Sequence, residues 1–318
     1  MSVTQEFRFP SGDGSATLYG RSWCPEAGQP RAVLQLVHGI SEHIGRYDHF
    51  ARFMADQGFF VCGEDHLGHG NTPERQEDLG YTADRDGWVQ MTDNVHALHD
   101  RIKAQYPDLP YLLLGHSMGS FLARSYLIRY PGTLDACALL GTGQQPGAVL
   151  AAGLLACDLE KLRLGKRGRS KLLQNLCFGA YNRQFKPNRT PSDWVCSVEA
   201  VVDAYMADPF CQVMPTVTLM HDMLSGIKFN QNKANLAKMD LKTPIIFLSG
   251  ELDPVGSCGK GVRLAYQSFL DAGCSDVTLK LYPDGRHEML NETNREDVYQ
   301  ELLGWMLQKL QAQCASRE

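Results

Sequence analysis

The chain lacks any apolar run approaching the roughly 18 residues of a membrane span, so membrane contact is expected to be peripheral. It opens Met1-Ser2-Val3-Thr4-Gln5-Glu6-Phe7-Arg8, with no basic start leading into an apolar core, and a secretory signal is not expected. Its ten cysteines include no C-x-x-C pair and follow no regular spacing, a pattern that fits reduced thiols in the cytoplasm rather than a disulfide framework. Strong charge of either sign is missing too: the net charge is −5, which argues against a nucleic-acid partner. Internal repeats, low-complexity tracts and linkers are likewise absent. At 318 residues the chain can bury roughly three quarters of its unfolded surface. One α/β domain with an insertion fits that length better than two separate domains.

The chain alternates short apolar runs with helical patterns. Residues 4–23 read as an opening hairpin turning at Gly12-Asp13-Gly14. Strands are expected near 32–38, 59–63, 111–115, 135–141, 243–249 and 277–282, and helices near 46–57, 85–105, 118–129, 258–272 and 294–313. Continuous apolar strands separated by helices predict an α/β fold, a mostly parallel central sheet with helices on both faces. Residues 143–233 break the alternation with helical stretches and breaks at Pro187, Pro191, Pro209 and Pro215. They are expected to form a helical cap on a core made of 1–142 and 234–318.

Gly115-His116-Ser117-Met118-Gly119 lies between the apolar run Tyr111-Leu112-Leu113-Leu114 and a helical pattern. A serine on so tight a strand-to-helix turn is a nucleophile elbow, with glycines where Cβ atoms would collide with neighbouring backbone. The order in such an architecture is serine, acid, histidine. Only His221 and His287 follow Ser117; His221 sits in a helical pattern, whereas His287 occupies a Pro- and Gly-containing loop after a strand. The acid is expected one strand earlier, in Gly250-Glu251-Leu252-Asp253-Pro254, with Asp253 favoured and Glu251 its competitor. One oxyanion donor is the backbone N–H of Met118; the other is that of Ile40, after the strand Ala32–Val37, where Gly39 allows close approach to substrate. His38 reads as a packed loop histidine, and Asp65-His66-Leu67-Gly68-His69-Gly70 as a structural loop rather than a zinc site. No metal or other cofactor is called for.

The segments His38-Gly39-Ile40-Ser41-Glu42-His43-Ile44-Gly45-Arg46-Tyr47, Asp65-His66-Leu67-Gly68-His69-Gly70 and Gly115-His116-Ser117-Met118-Gly119 resemble the monoacylglycerol lipase and lysophospholipase group of α/β-hydrolases. Gly250-Glu251-Leu252-Asp253-Pro254 and Asp284-Gly285-Arg286-His287-Glu288 complete the resemblance, which covers nearly the whole chain and is nearest to bacterial members. It implies an α/β-hydrolase fold, the triad Ser117, Asp253 and His287, and the oxyanion hole Ile40 and Met118. Ile40 departs from the smaller residue of the animal enzymes and so alters the acyl pocket beside the carbonyl.

The activity expected is hydrolysis of single-chain carboxylic esters such as monoacylglycerols or lysophospholipids. Substrate contacts are expected from Gly39, His116, Leu150 and Leu154, the two leucines belonging to the apolar stretch 147–156 that would line an acyl tunnel or touch lipid. The basic run Lys161–Lys171 that follows could attract anionic headgroups or form a solvated cap edge. Two other readings stand beside this one. A proline-iminopeptidase-like enzyme would need a cap carboxylate, such as Glu199 or Asp203, for the substrate ammonium. A non-catalytic ligand-binding hydrolase fold would typically have lost one of the three catalytic residues.

Overall fold

A computed structural model describes residues 2–317. In chain order the elements are β1 Ser2–Pro10, β2 Thr17–Pro25, β3 Ala32–Val37, α1 Asp48–Asp56, β4 Phe59–Glu64, α2 Gly87–Gln105, β5 Tyr111–His116, α3 Met118–Arg129 and β6 Ala136–Leu140. After them come α4 Gly147–Leu164, α5 Lys171–Phe178, α6 Glu199–Ala207, α7 Val217–Asn230, α8 Lys233–Leu236, β7 Ile245–Gly250, α9 Lys260–Asp271, β8 Val277–Tyr282 and α10 Arg295–Arg317. Every strand expected from the sequence forms, with ends displaced by a residue or two.

The eight strands make one sheet in the order β1-β2-β4-β3-β5-β6-β7-β8. The β1–β2 and β2–β4 pairs are antiparallel, and every later pair is parallel. The inner strands β3 to β7 are buried along their whole length, because helices cover both faces, and this is why they read as unbroken apolar runs. The edge strand β8 is only half-buried. One core layer lies under α2, α3, α7 and α9, the other under α1 and α10.

Because β4 and β5 flank β3 on opposite sides, the chain reverses its winding at β3, and a crevice opens beyond the carboxyl ends of β3 and β5. The insertion 143–233 leaves the sheet after β6 and returns before β7. Its last long helix, α7, packs directly on the core: Gly226 leaves room for the Trp88 indole, and Asn230 accepts from Ser125 Oγ at 2.7 Å while donating to the Phe121 carbonyl at 2.8 Å. Residues 193–206 instead hold a small apolar cluster of their own around Val195, Cys196 and Val202. Among the described residues no helix is long and apolar enough to cross a membrane.

The packing of α3 against β3 has no slack at Gly119, where a methyl group would lie 2.0 Å from the Val37 carbonyl oxygen. Gly119→Ala should therefore cost about 3 kcal/mol, read as a lower urea midpoint. Gly147→Ala, at the start of α4 with nothing within 4 Å of the new methyl, should be neutral or gain about 0.5 kcal/mol. An equal effect of the two changes would refute the packing argument.

Candidate active site

Ser117 follows β5 immediately and precedes α3, with φ 54° and ψ −121°. That conformation is costly for a residue with a side chain and persists only where the surroundings impose it. Here they do. Its N–H donates to the Leu140 carbonyl at 3.0 Å, its carbonyl accepts from Ser120 N–H at 2.9 Å, and Gly115 and Gly119 are packed too closely for any Cβ. The hydroxyl stays half-exposed at the amino end of α3, where Met118 supplies the first helical N–H.

The loop after β3 lies against this serine: a methyl on Gly39 would be 3.0 Å from the Ser117 Cβ. The Gly39 N–H donates to Glu42 Oε1 at 2.5 Å, which fixes the Gly39 amide, and Ile40 follows it in the chain. Glu42 also accepts from Tyr47 Oη at 2.9 Å and from Arg46 at 2.8 Å, and Arg46 in turn grips Glu288 through both nitrogens at 2.5 and 2.8 Å. His116 spans the middle, with Nε2–H directed at the His287 carbonyl and Nδ1–H at Glu42, both at 3.3 Å. Burial alone would depress the His116 pKa, but the bond to Glu42 outweighs it and the value is raised. Burial would raise that of Glu42, yet His116 and Arg46 hold it well below the carboxylate range.

On the other side of the crevice, Asp253 is fully buried after β7. Its Oδ2 accepts from His287 Nδ1–H at 3.0 Å and from Ser249 Oγ at 3.2 Å, and its Oδ1 accepts the Val255 N–H at 2.9 Å. Glu251, two residues earlier, is exposed. With Nδ1–H committed to Asp253, His287 keeps Nε2 as a lone-pair acceptor, the condition for a general base. The ring packs against His116 at 4.7 Å and Trp194 at 5.1 Å between centroids, and Gly141 leaves it room. Trp194 comes from the insertion, whose 193–197 segment is stitched to the histidine loop. Glu288 N–H donates to the Val195 carbonyl at 2.8 Å, Arg286 donates to the Cys196 and Asp193 carbonyls, and Ser197 N–H donates to Glu292 Oε1 at 2.9 Å.

The structure thus gathers Ser117, Asp253, His287, Gly39, Ile40 and Met118 at one end of the sheet. His116 is 5% exposed and belongs to the support beneath the site, not to an open substrate wall. Leu150 is buried in the core layer, and Leu154 is half-buried in the same helix, so the stretch 147–156 is not a continuous tunnel wall. Glu42, Arg46, Glu288 and Trp194 were not singled out from sequence. Glu42 and Glu288 stood within quoted motifs, but no spacing rule foretells a carboxylate turning back onto a backbone amide three residues before it. Beneath the loop after β3, His38 Nδ1–H donates to the Gly39 carbonyl at 2.8 Å and its Nε2 accepts the His66 N–H at 3.1 Å.

A mostly parallel sheet with a serine on the turn after β5, a carboxylate after β7 and a histidine after β8 defines an α/β-hydrolase, and this protein is a serine hydrolase of that fold. It belongs to the family described as Hydrolase_4: Serine aminopeptidase, S33, which it matches over residues 28–294. It is 29% identical to a monoacylglycerol lipase of Mycolicibacterium smegmatis over 312 residues, covering 97% of this chain and 99% of that one. The human monoglyceride lipase is 27% identical over 302 residues, covering 92% and 87%. Among solved structures, a thermostable carboxyl esterase from Bacillus coagulans in complex with glycerol superposes with a TM-score of 0.89 at 28% identity, covering 98% of this chain and 100% of that one.

Two buried histidines, His38 and His69, make stability fall in acid. Burial first, and the neighbouring His66 second, depress His69 to about 4, and His38 lies well below its ordinary value for the same reasons. The unfolded chain binds these protons near pH 6.5 and the folded chain does not, so their contribution is complete above about pH 6.5 and is lost as the pH falls toward 4. The urea midpoint should drop across that window, with His69 accounting for on the order of 2 kcal/mol. His69→Gln should flatten the slope; an unchanged slope would contradict the assignment.

Proposed function

We propose that this serine ester hydrolase cleaves single-chain carboxylic esters, of the monoacylglycerol or lysophospholipid type, through an acyl-enzyme intermediate. The observation that carries the reading is the buried 3.0 Å His287–Asp253 pair beside a serine held on a strained strand–helix turn. Ser117 Oγ attacks the carbonyl while its proton passes to His287 Nε2. Asp253 holds the imidazole in the required tautomer and stabilises the imidazolium, and the Ile40 and Met118 amides receive the developing oxyanion. His287 returns the proton to the leaving alcohol, and water then repeats the sequence on the acyl-serine. Gly39 admits the carbonyl, and Leu154, on the half-buried part of α4, is the residue of 147–156 that we place along the acyl chain.

The aminopeptidase reading has the family's descriptive name in its favour but wants a carboxylate free to hold an ammonium. Glu199 and Asp203 lie on the exposed side of α6, where Asp203 pairs with Arg189 at 2.5 Å. The buried Glu42 and Glu288 are taken by Arg46.

The region 143–233 is, in this reading, a cap that meets lipid. Leu155, Leu159 and Leu162 project outward from α4, with Leu172 and Leu176 from α5, and Leu162 is 86% exposed. An apolar row of this kind fits an interfacial surface. The basic run beside it fits the solvated cap edge better than a headgroup site. Arg163 pairs with Glu160, Lys166 with Asp84 and Arg167 with Asp78, tying the cap edge to itself and to the core. We place the protein in the cytoplasm, where its free thiols would remain reduced.

A substrate panel tests the reaction. Monoacylglycerols and lysophospholipids should be turned over faster than triacylglycerols or prolyl arylamides; prolyl arylamides as best substrates would overturn the ester assignment. Ser117→Ala should keep its circular dichroism spectrum and lose at least about 1,000-fold in turnover. Asp253→Asn should lose about 10,000-fold and Glu251→Gln little; the reverse order would move the acid to Glu251.

Lipid contact is tested with the Leu155→Ser, Leu159→Ser, Leu162→Ser triple variant. It should co-sediment about tenfold less with phosphatidylcholine vesicles, with p-nitrophenyl acetate hydrolysis unchanged. Undiminished sedimentation would remove this face from the reading.

A further inference from the structure

A second cluster of chemistry-bearing side chains lies outside the site described above. His96, His99 and Asp100 project from α2 beside the turn that follows α3, and their ligand atoms all lie within 4.8 Å of one another. The two imidazoles are nearly parallel, 5.3 Å apart at an interplanar angle of 14°, and His96 stacks on Tyr130 at 3.7 Å.

Proton accounting at this cluster points to a missing positive charge. His99 Nε2 faces the Thr133 carbonyl at 3.3 Å, and a carbonyl only accepts, so Nε2 carries the hydrogen. In the neutral ring Nδ1 is then a lone pair, yet it lies 3.0 Å from Asp100 Oδ1, another acceptor. Something positive belongs between them. A second proton on His99 would serve that pair, but it would give no part to His96, whose Nε2 converges on the other oxygen of the same carboxylate at 3.5 Å. His96 Nδ1 is within hydrogen-bond distance of Tyr126 Oη at 3.1 Å, which can take its hydrogen and leave Nε2 free to coordinate. An imidazole held by a hydrogen bond at one nitrogen with the other left open is how proteins present histidine to a metal.

We propose that His96, His99 and Asp100 form a binding site for a borderline divalent cation such as Zn²⁺, Co²⁺ or Ni²⁺. Two imidazoles and one carboxylate suit such ions better than Mg²⁺ or Ca²⁺, which prefer all-oxygen sets. Asp100 is exposed, so water completes the coordination on the open side. The donor set carries one negative charge, and Arg129, at the end of α3, is engaged with Asp93 at 2.9 Å. Through the Thr133 contact a bound ion would brace α2 against the turn after α3. Tyr126 lies nine residues beyond Ser117 along α3, on the order of 14 Å at 1.5 Å per residue, so occupancy is expected to act on stability and not on ester turnover.

The test is calorimetric titration of untagged, EDTA-treated protein with Zn²⁺ at pH 7.5, alongside thermal melting and the visible spectrum of the Co²⁺ form. Wild type should bind an equivalent of Zn²⁺ that raises the melting temperature, Mg²⁺ should do neither, and p-nitrophenyl acetate hydrolysis should be unaffected. His99→Gln and Asp100→Asn should each weaken that equivalent at least tenfold, and the His96→Gln, His99→Gln double variant should lose it. Undiminished binding in the double variant would overturn the proposal and assign the ion to His43, Asp208 and Cys211, which also approach one another. Absence of binding in the wild type, with His99 titrating as a simple protonated pair by NMR, would overturn it in favour of a proton. Both outcomes are independent of whether the protein hydrolyses the proposed esters.

Discussion

The contact on which the rest of the site depends is the one between Gly119 and the end of β3. A turn that ends a strand and starts a helix within one residue forces Ser117 to positive φ, and only close packing around it makes that conformation the favoured one. The same contact sets the distance between the amino end of α3 and the loop carrying Gly39 and Ile40. Strain at the serine and proximity of the two proposed oxyanion amides are therefore one constraint.

Beneath that turn lies a buried polar layer. Glu42 satisfies the Gly39 amide, Tyr47, Arg46 and His116 at once, and Arg46 passes the connection to Glu288 on the histidine loop. Each charge in this layer has a partner, which is what permits burial. Through His116 and the His287 carbonyl the layer links the proposed oxyanion loop to the proposed base, so movement of one side would be felt by the other.

The insertion contributes to the same unit in two ways. Residues 193–197 are hydrogen-bonded to the histidine loop and set Trp194 against His287, while α7 is embedded over α2 and α3. Its outer surface is different in character, with leucines facing solvent and arginines bent back into ion pairs. The pairs of Lys166 with Asp84 and Arg167 with Asp78 tie this exposed edge of the insertion to the core.

Much of this was legible in the sequence, because its causes are local. The parallel strands read as apolar runs since they are buried on both faces, and the serine turn read from glycines whose absent Cβ atoms the turn requires. His287 could be chosen over His221 from the loop and helix around each, and α7 does hold His221, near Asp158 at 3.6 Å. What depended on contacts between distant segments was not legible. Asp253 and Glu251 are two residues apart and chemically alike; the sequence favours Asp253 without excluding Glu251, and the path of the chain after β7 is what buries Asp253 and leaves Glu251 exposed. The stretch 147–156 is apolar in composition whichever way it faces; tertiary packing alone put Leu150 in the core and Leu155 in solvent. Sequence determined the kinds of element and the chemistry each could carry, since those follow from backbone sterics and side-chain type. Tertiary structure decided the partners, since hydrogen bonds and ion pairs between remote residues exist only once the sheet has brought its loops to one end.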